Sequence, residues 1–427
     1  MTVSAGLDAV PPAAPVVEGR KWGLIVSLGI VLFVLLALYA SILGVLLPNQ
    51  IENLDPVGKL GTLGVVYAIT SVFSTITTPV SGALSDRTRS RFGRRTPWIA
   101  IGGVVGGAAT ILIPFGGGIV GVTALWLVAT VSLNSMQPAI TTIVADRFLP
   151  GERGMVSGVV GAAMTAGVSA GTIFGGLMAA QLFVAYAIVG GGIIAASLLF
   201  VLLNREPPLP AGLAAPVPFR LTSFLRSFWI DPRAHPDFAW ALFGRFSIYM
   251  GYQAILTYLL YILEGYIGLT QGAANLTIAR MSSITFVALV ISALLSGWLS
   301  DRLGRLKPLV FVAGLVMALA EIAPLLSPDL RGMFLYAGLI GIGYGSFMSV
   351  DLALMTRVLP PATPGEDSTG KDLGILTTAI NVPQILSPVM AAALLHATGN
   401  NYPLLFVVCG VFVVFGACLV LPIRSVR

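Results

Sequence analysis

The chain reads as an all-α membrane protein: twelve transmembrane helices in two pseudo-symmetric six-helix bundles, with both termini cytoplasmic. Three observations predict this. Of 427 residues, 56% are hydrophobic and only 10% charged, and the mean hydropathy is +0.92, a balance that no soluble domain of this size could keep in water. Apolar runs recur along the chain, each near the roughly 20 residues that cross about 30 Å of hydrocarbon. A charged, glycine-punctuated hairpin then occurs twice. Gly82-Ala-Leu-Ser-Asp86-Arg87, running on to Gly93-Arg94-Arg95-Thr96-Pro97, returns in the second half as Gly297-Trp-Leu-Ser-Asp301-Arg302-Leu-Gly304-Arg305-Leu-Lys307-Pro308.

Residues 1–21 form a Pro/Ala-rich tail, disordered and cytoplasmic, with no basic residue before Arg20. A secretory signal needs a basic start, a short apolar core and a cleavage site. The long run behind Arg20-Lys21 is therefore an uncleaved first span. The first bundle occupies 22–204, with spans at 22–47, 60–85, 97–115, 119–146, 154–179 and 183–203; the tightest turns fall at 113–119 and 179–183. A linker follows at 205–237. Its stretch from Glu206 to Pro218 is too rich in Pro and Ala to pack. Leu221, Phe224, Leu225 and Phe228 then recur at helical spacing beside Arg220 and Arg226, which predicts a short helix lying flat on the inner leaflet. The second bundle occupies 238–427, with spans at 238–263, 276–300, 308–327, 333–357, 373–397 and 402–422.

Basic residues orient the spans. With the N-terminus inside, twenty of the 24 Lys and Arg fall in cytoplasmic segments, only Lys59 and Arg331 lie outside, and Arg245 and Arg280 fall within spans or at their ends. The net charge of +6 thus reflects topology and contact with anionic lipid, not nucleic-acid binding. Cys409 and Cys418 share the last span about 13 Å of helical rise apart, too far for a disulfide. His235 and His396 have no metal-ligand company. No GxxxxGK[ST] loop is present, so the energy comes from a gradient or from the substrate, and no cofactor is expected. An enzyme acting on lipids would need a nucleophile–base pair that two misplaced histidines cannot supply.

The repeat extends beyond the hairpin. Asp146-Arg147-Phe-Leu-Pro150 after span four matches Thr356-Arg357-Val-Leu-Pro360 after span ten, and Gly151-Glu152-Arg153-Gly154 resembles Lys371-Asp372-Leu373-Gly374. Over essentially its whole length the chain resembles the major facilitator superfamily, on its six-plus-six spans, its central linker and its G-x-L-S-D-R…G-R-R hairpin. The longer form from Ser85 through Arg89, Arg91 and Gly93 to Pro97 is most similar to the glycoside–pentoside–hexuronide symporters and related sucrose transporters. The resemblance implies that Asp86 contacts the start of span eleven and, by pseudo-symmetry, that Asp301 meets Gly151 to Gly154. These contacts would latch the halves at the cytoplasmic face. Arg87, Arg94, Arg95, Arg302, Arg305, Asp146, Arg147 and Arg357 complete the expected gate. A second reading leaves these charges as loop anchors that set topology.

The superfamily places its cavity between spans one, four, seven and ten. On span seven Arg245, Tyr249, Tyr252, Gln253 and Glu264 share one arc, and a Tyr/Gln face can stack on a sugar ring and bond its hydroxyls. Arg245 could equally snorkel to the inner surface. Asn134 and Gln137 on span four, Tyr344 on span ten, and Asn381 and Gln384 on span eleven complete the candidate ligands. Asp351 lies about 9 Å of helix inward of Arg357. As the deepest carboxylate of the cavity helices it is the first candidate for proton coupling, or else the structural partner of an arginine. Glu264 is the second, unless it pairs with Arg280, and Glu321 in span nine is weaker.

The expected function is secondary active transport of a small solute by alternating access in the cell membrane. Proton-coupled uptake of a sugar or glycoside leads. Sodium-coupled members of the glycoside family carry acids within spans two and four, and here those spans hold none before Asp86 and Asp146, so the resemblance disfavours sodium and favours protons or facilitated diffusion. Two alternatives stand. Span five, with Gly158, Gly167, Gly171, Thr172, Gly175 and Gly176, resembles the motif of proton-coupled drug antiporters except that Thr172 replaces the expected proline; without it, small residues four apart read as close helix packing. A non-transporting sensor is the other, and the chain has no soluble sensing domain. Beyond substrate and bilayer no partner is expected, and the chain is expected to be monomeric.

Overall fold

A computed structural model describes residues 18–206, 235–358 and 369–423, and its regular elements are all helical. Span one runs as Glu18–Ser41, a π-helical turn Ile42–Leu46, and Leu47–Leu54. Span two is Lys59–Arg87, span three Thr96–Leu112 with a 3₁₀ turn Ile113–Phe115, span four Ile119–Arg147, span five Pro150–Met178 and, after a 3₁₀ turn, span six Leu182–Leu203. Spans seven to twelve are Pro236–Gly265, Gln271–Leu303, Lys307–Leu326, Leu330–Val358, Thr369–Ala397 and Tyr402–Cys418. Both tight turns fall where the sequence places them. The expected linker helix and most of the tail lie outside the described residues.

Local chemistry marks the ends. Spans three, five, seven, nine and twelve open with Pro in the first turn, where its missing N–H costs nothing. Gly304 closes span eight at φ +61, a conformation that favours glycine. Span one passes its expected end at 47 and carries the polar run Pro48–Gln50 into buried surroundings. Within that extension the Asn49 side chain and the Pro48 carbonyl have partners on the second half, described below.

Packing repeats with an offset of six. Span one packs on five and six, two on four, and three on four and six. Span seven correspondingly packs on eleven and twelve, eight on ten, and nine on ten and twelve. The halves then touch through two matched pairs, two with eleven and five with eight. This is the neighbour set of a pseudo-twofold pair of bundles.

Span five shows how closely helices approach. A Cβ at Gly167 would lie 2.4 Å from the Phe33 carbonyl, one at Gly171 2.1 Å from that of Ala37, and one at Gly175 3.2 Å from that of Ser41. Four-residue steps on span five thus match four-residue steps on span one, and only glycine admits the crossing. Gly176 does the same against the Asn275 carbonyl of span eight, at 2.5 Å. Here Gly167, Gly171, Gly175 and Gly176 of the antiporter-like set seat neighbouring helices, and close packing accounts for these four. Gly158 has nothing within 4 Å of a Cβ.

Among the described residues, the close contacts between halves lie toward one end of the bundles. We call the end bearing the two charged hairpins the hairpin face and the other the far face. Gly64 meets Ala392, and Gly176 meets Asn275 and Ala279, all toward the far face. On the hairpin face the glycine side of the start of span five is open, with nothing within 4 Å of a Cβ at Gly151, Gly154, Gly158 or Gly161. Asp301, Arg302 and Arg305 at the end of span eight are exposed.

Candidate functional site

Span seven turns Gly244 and Gly251 toward span twelve, where Cβ atoms would lie 3.0 Å and 2.5 Å from the Gly416 and Cys409 carbonyls. Its other face therefore carries Arg245, Tyr249, Tyr252 and Gln253 toward span ten. Tyr252 stacks on Tyr344 with ring centres 4.3 Å apart and planes 12° apart. Tyr249 stands edge-on to Tyr344 and Phe347, and its hydroxyl lies 3.1 Å from the Met348 sulfur and 3.5 Å from the Tyr344 hydroxyl. Gln253 and Tyr252 are half-buried. No protein partner is found for the Gln253 amide among the described residues, which leaves it available to a solute.

At the hairpin-face edge of this cluster Arg245 and Asp351 are both buried, 5% and 3% exposed. Arg245 Nε lies 3.3 Å from Asp351 Oδ2, and the guanidinium sits 5.9 Å from the Tyr249 ring centre. Arg245 is thus paired inside the protein and does not snorkel to the surface. The pair attracts by charge but is not satisfied as a hydrogen bond: Nε, Nη1 and Oδ2 all lack a partner of good geometry. Two opposite buried charges with unfilled valences can be separated by a proton on the carboxylate or by a polar ligand.

Across the path, Asn134 is buried and committed. Its Nδ2 donates to the Tyr39 hydroxyl and the Thr130 carbonyl, each at 2.8 Å, and its Oδ1 accepts from Thr78 at 3.4 Å. It ties spans one, two and four together, so its role here is to orient Tyr39. Gln137 is half-buried and Gln384 exposed. The Asn381 and Arg357 side chains lie outside the described residues.

The hairpin charges close a network within the first half. Arg95, 4% exposed, reaches Asp86 at 2.7 Å and Asp146 at 3.2 Å, and donates to Ser85 Oγ at 3.1 Å. Arg94 holds Asp146 at 2.7 Å. Arg147 lines a cavity of about 20 Å³ with Arg95, Asp146 and Glu206. Glu206, where the linker begins, accepts from Arg95 N–H at 2.7 Å and Thr96 N–H at 3.2 Å. A carboxylate thereby caps the positive end of span three. The side chains opening span eleven, Asp86's expected partners, lie outside the described residues. The matching contact from Asp301 is not made: Asp301 is exposed, and Glu152 at the start of span five is held by Lys21 at 2.7 Å. The reason is the pose, since this face of spans five and eight is apart.

The far face carries the closed gate, which the sequence did not reveal. Lys59 bridges Glu52 and Glu264, each at 2.6 Å, with its ammonium 4.7 Å from the Tyr261 ring centre. Glu264 therefore pairs with Lys59 of the other half. Arg280, the expected partner, is exposed, because it lies on the exposed apolar stripe of span eight with Ile284, Val287 and Ile291. Asn49 and Asn275 exchange side-chain hydrogen bonds at 2.8 and 2.7 Å. Tyr258 donates to the Leu60 carbonyl at 2.9 Å and Tyr261 to the Pro48 carbonyl at 2.9 Å. The signal was Lys59 itself, one of two basic residues that the sequence places on the side opposite the hairpins. Its partners depend on how the halves dock.

Two six-helix bundles with matched packing, joined at one face and with charged and aromatic side chains buried between their helices, define a multi-pass membrane protein of two repeated halves. The chain belongs to the Major Facilitator Superfamily, whose sequence profile matches residues 29–365 and 241–427. It is similar to a di-/tripeptide transporter of Lactococcus lactis, 26% identical over 200 residues, covering 46% of this chain and 35% of that protein; the chain thus matches about a third of that relative's length. It is 52% identical over 42 residues, 10% of this chain and 8% of the relative, to an uncharacterized symporter of Synechocystis. In fold it is similar to a bacterial homologue of the human lysosomal transporter Spinster in an inward-facing, occupied conformation (TM-score 0.70, 14% identity, 95% of this chain and 97% of that one). It is also similar to a D-xylose–proton symporter (TM-score 0.67, 15% identity, 94% and 98%).

Proposed function

We propose that the chain is a proton-coupled importer of a sugar or glycoside in the cell membrane, with the hairpin face cytoplasmic. The basic residues of that face support the orientation, which makes the pose inward-open with the outer gate closed. One observation carries the reading. The Tyr249, Tyr252, Tyr344 and Gln253 cluster, suited to a sugar's faces and hydroxyls, directly adjoins the buried Arg245–Asp351 pair. A proton on Asp351 frees Arg245; solute and proton then cross together, and loss of the proton on the inside restores the pair. The acid-free interiors of spans two and four favour protons over sodium. Export loses its motif-based support once the span-five glycines are spent on packing.

A second reading rests on the Lactococcus relatives: opposite charges side by side also suit the termini of a short peptide. The test covers both. Right-side-out vesicles energised with a proton gradient are offered a panel of di- and oligosaccharides and di- and tripeptides. Accumulation of a sugar above equilibrium, lost in Asp351→Asn while gradient-independent exchange persists, supports the proposal. Accumulation of peptides alone transfers the site to the second reading. A proton leak provoked by an apolar compound, with no accumulation, sinks both.

A further inference from the structure

Span nine holds a carboxylate that the substrate path does not use. Glu321 is 1% exposed, and neither Oε1 nor Oε2 has a hydrogen-bond partner. None of the ion pairs among the described residues includes it. It lies five residues before Leu326, so about 8 Å of helix below the far face. Beside it opens a groove of about 490 Å³ between spans nine and twelve, lined by Ala318, Ile322, Leu325, Phe406, Val411 and Phe415 as well as Glu321. That volume falls in the range of about 300–1,000 Å³ typical of small-ligand sites. Ile322, Val411 and Phe415 are 42%, 63% and 57% exposed, so the groove opens on the bundle's periphery, where acyl chains lie.

An ionised carboxylate in such a place needs a counter-charge, because desolvation costs several kcal/mol per ion. The described residues supply none. Gly410 and Ala318 keep side chains out of the space next to Glu321; a Cβ at Gly410 would sit 3.5 Å from the Glu321 Cβ. The walls are too apolar to hold a water chain to the carboxylate. A ligand with a cationic head and an apolar body satisfies both the acid and the groove. A two-chain aminolipid does not fit, since its phosphate would follow the amine below headgroup level and lose its own hydration. We propose that the groove between spans nine and twelve binds a single-chain amphiphilic amine drawn from the bilayer, with its ammonium on Glu321 and its tail along Ile322, Val411 and Phe415.

The full-length protein in phosphatidylcholine nanodiscs tests this, with labelled dodecylamine and its uncharged counterpart dodecanol as probes. Dodecylamine should bind saturably, Glu321→Gln should weaken it by about tenfold or more, and dodecanol should be indifferent to that change. Gly410→Leu, which fills the groove and leaves the acid in place, should also abolish amine binding. Equal amine affinity in Glu321→Gln overturns the proposal, as does dodecanol binding the native protein as tightly as dodecylamine. So does loss of transport in Glu321→Gln with amine binding unchanged, because the acid then serves the transport path. Should Glu321→Gln fail to fold, native protein labelled on Glu321 by dicyclohexylcarbodiimide gives the answer: dodecylamine should protect the residue, and undiminished labelling rejects the site.

Discussion

Arg245 and Asp351 lie in spans seven and ten, so each is costly alone in a membrane and tolerable only with the other. Removing one leaves the other buried without compensation, a penalty of about 3–5 kcal/mol. Asp351→Leu should therefore lower the thermal unfolding midpoint sharply. Arg245→Met combined with Asp351→Leu should restore most of it while transport stays lost. A double variant no more stable than the single one would show that the two charges are not coupled. The depth of Asp351 was legible from its distance to the span's end. An arginine partner was one of the two readings of Asp351; which arginine was not legible, because pairing depends on the azimuth of span seven relative to span ten. Gly93 offers a second test at this scale. Its φ is +98, and a Cβ there would lie 2.4 Å from Glu206 Oε2. Gly93→Ala should cost about 1–3 kcal/mol and detach Glu206 from the start of span three. Unchanged thermal stability would separate the linker from the hairpin.

Helix packing accounts for much of what the sequence made legible. Apolar run lengths located the twelve spans because the bilayer imposes one length on all of them, and the repeated hairpin revealed two halves. The glycines of span five were ambiguous between a gating motif and a packing seam, since both use small residues at four-residue steps. The carbonyls of Phe33, Ala37 and Ser41 against Gly167, Gly171 and Gly175 decide for packing in this pose. Gly171→Ala should then destabilise by about 1–3 kcal/mol, the usual cost of overpacking. Gly158→Ala, with open space around it, should change stability by less than about 0.5 kcal/mol. Equal effects of the two, measured by thermal unfolding in detergent, would refute the seam. What periodicity could not supply was which face of each span meets the other half, since every span is apolar nearly all round and its moment carries little direction.

At the scale of the whole molecule, the ion pair that joins the halves among the described residues, Lys59–Glu264, lies at the far face while the hairpin face of spans five and eight is apart, so the far-face contacts should hold the populated state. Lys59 is central, because among the described residues it is the cation that neutralises both Glu52 and Glu264. Lys59→Gln leaves two carboxylates facing one another and removes the pairing across the halves. A loss of about 1 kcal/mol, the upper end for a partly exposed pair, moves a two-state equilibrium by a factor of about 5. The alternate state should bring Asp301 to the start of span five. Cysteines placed at Gly154 and Asp301, in a background with Cys409 and Cys418 replaced, should cross-link poorly with Lys59 present and several-fold more in Lys59→Gln. Glu264→Gln should act in the same direction but more weakly, because Lys59 keeps Glu52. If cross-linking stays flat in Lys59→Gln while insertion and abundance are unchanged, the triad holds the far-face ends in place without setting the balance between states. The hydrogen bonds of Tyr258, Tyr261 and the Asn49–Asn275 pair would then be the elements that keep this face shut.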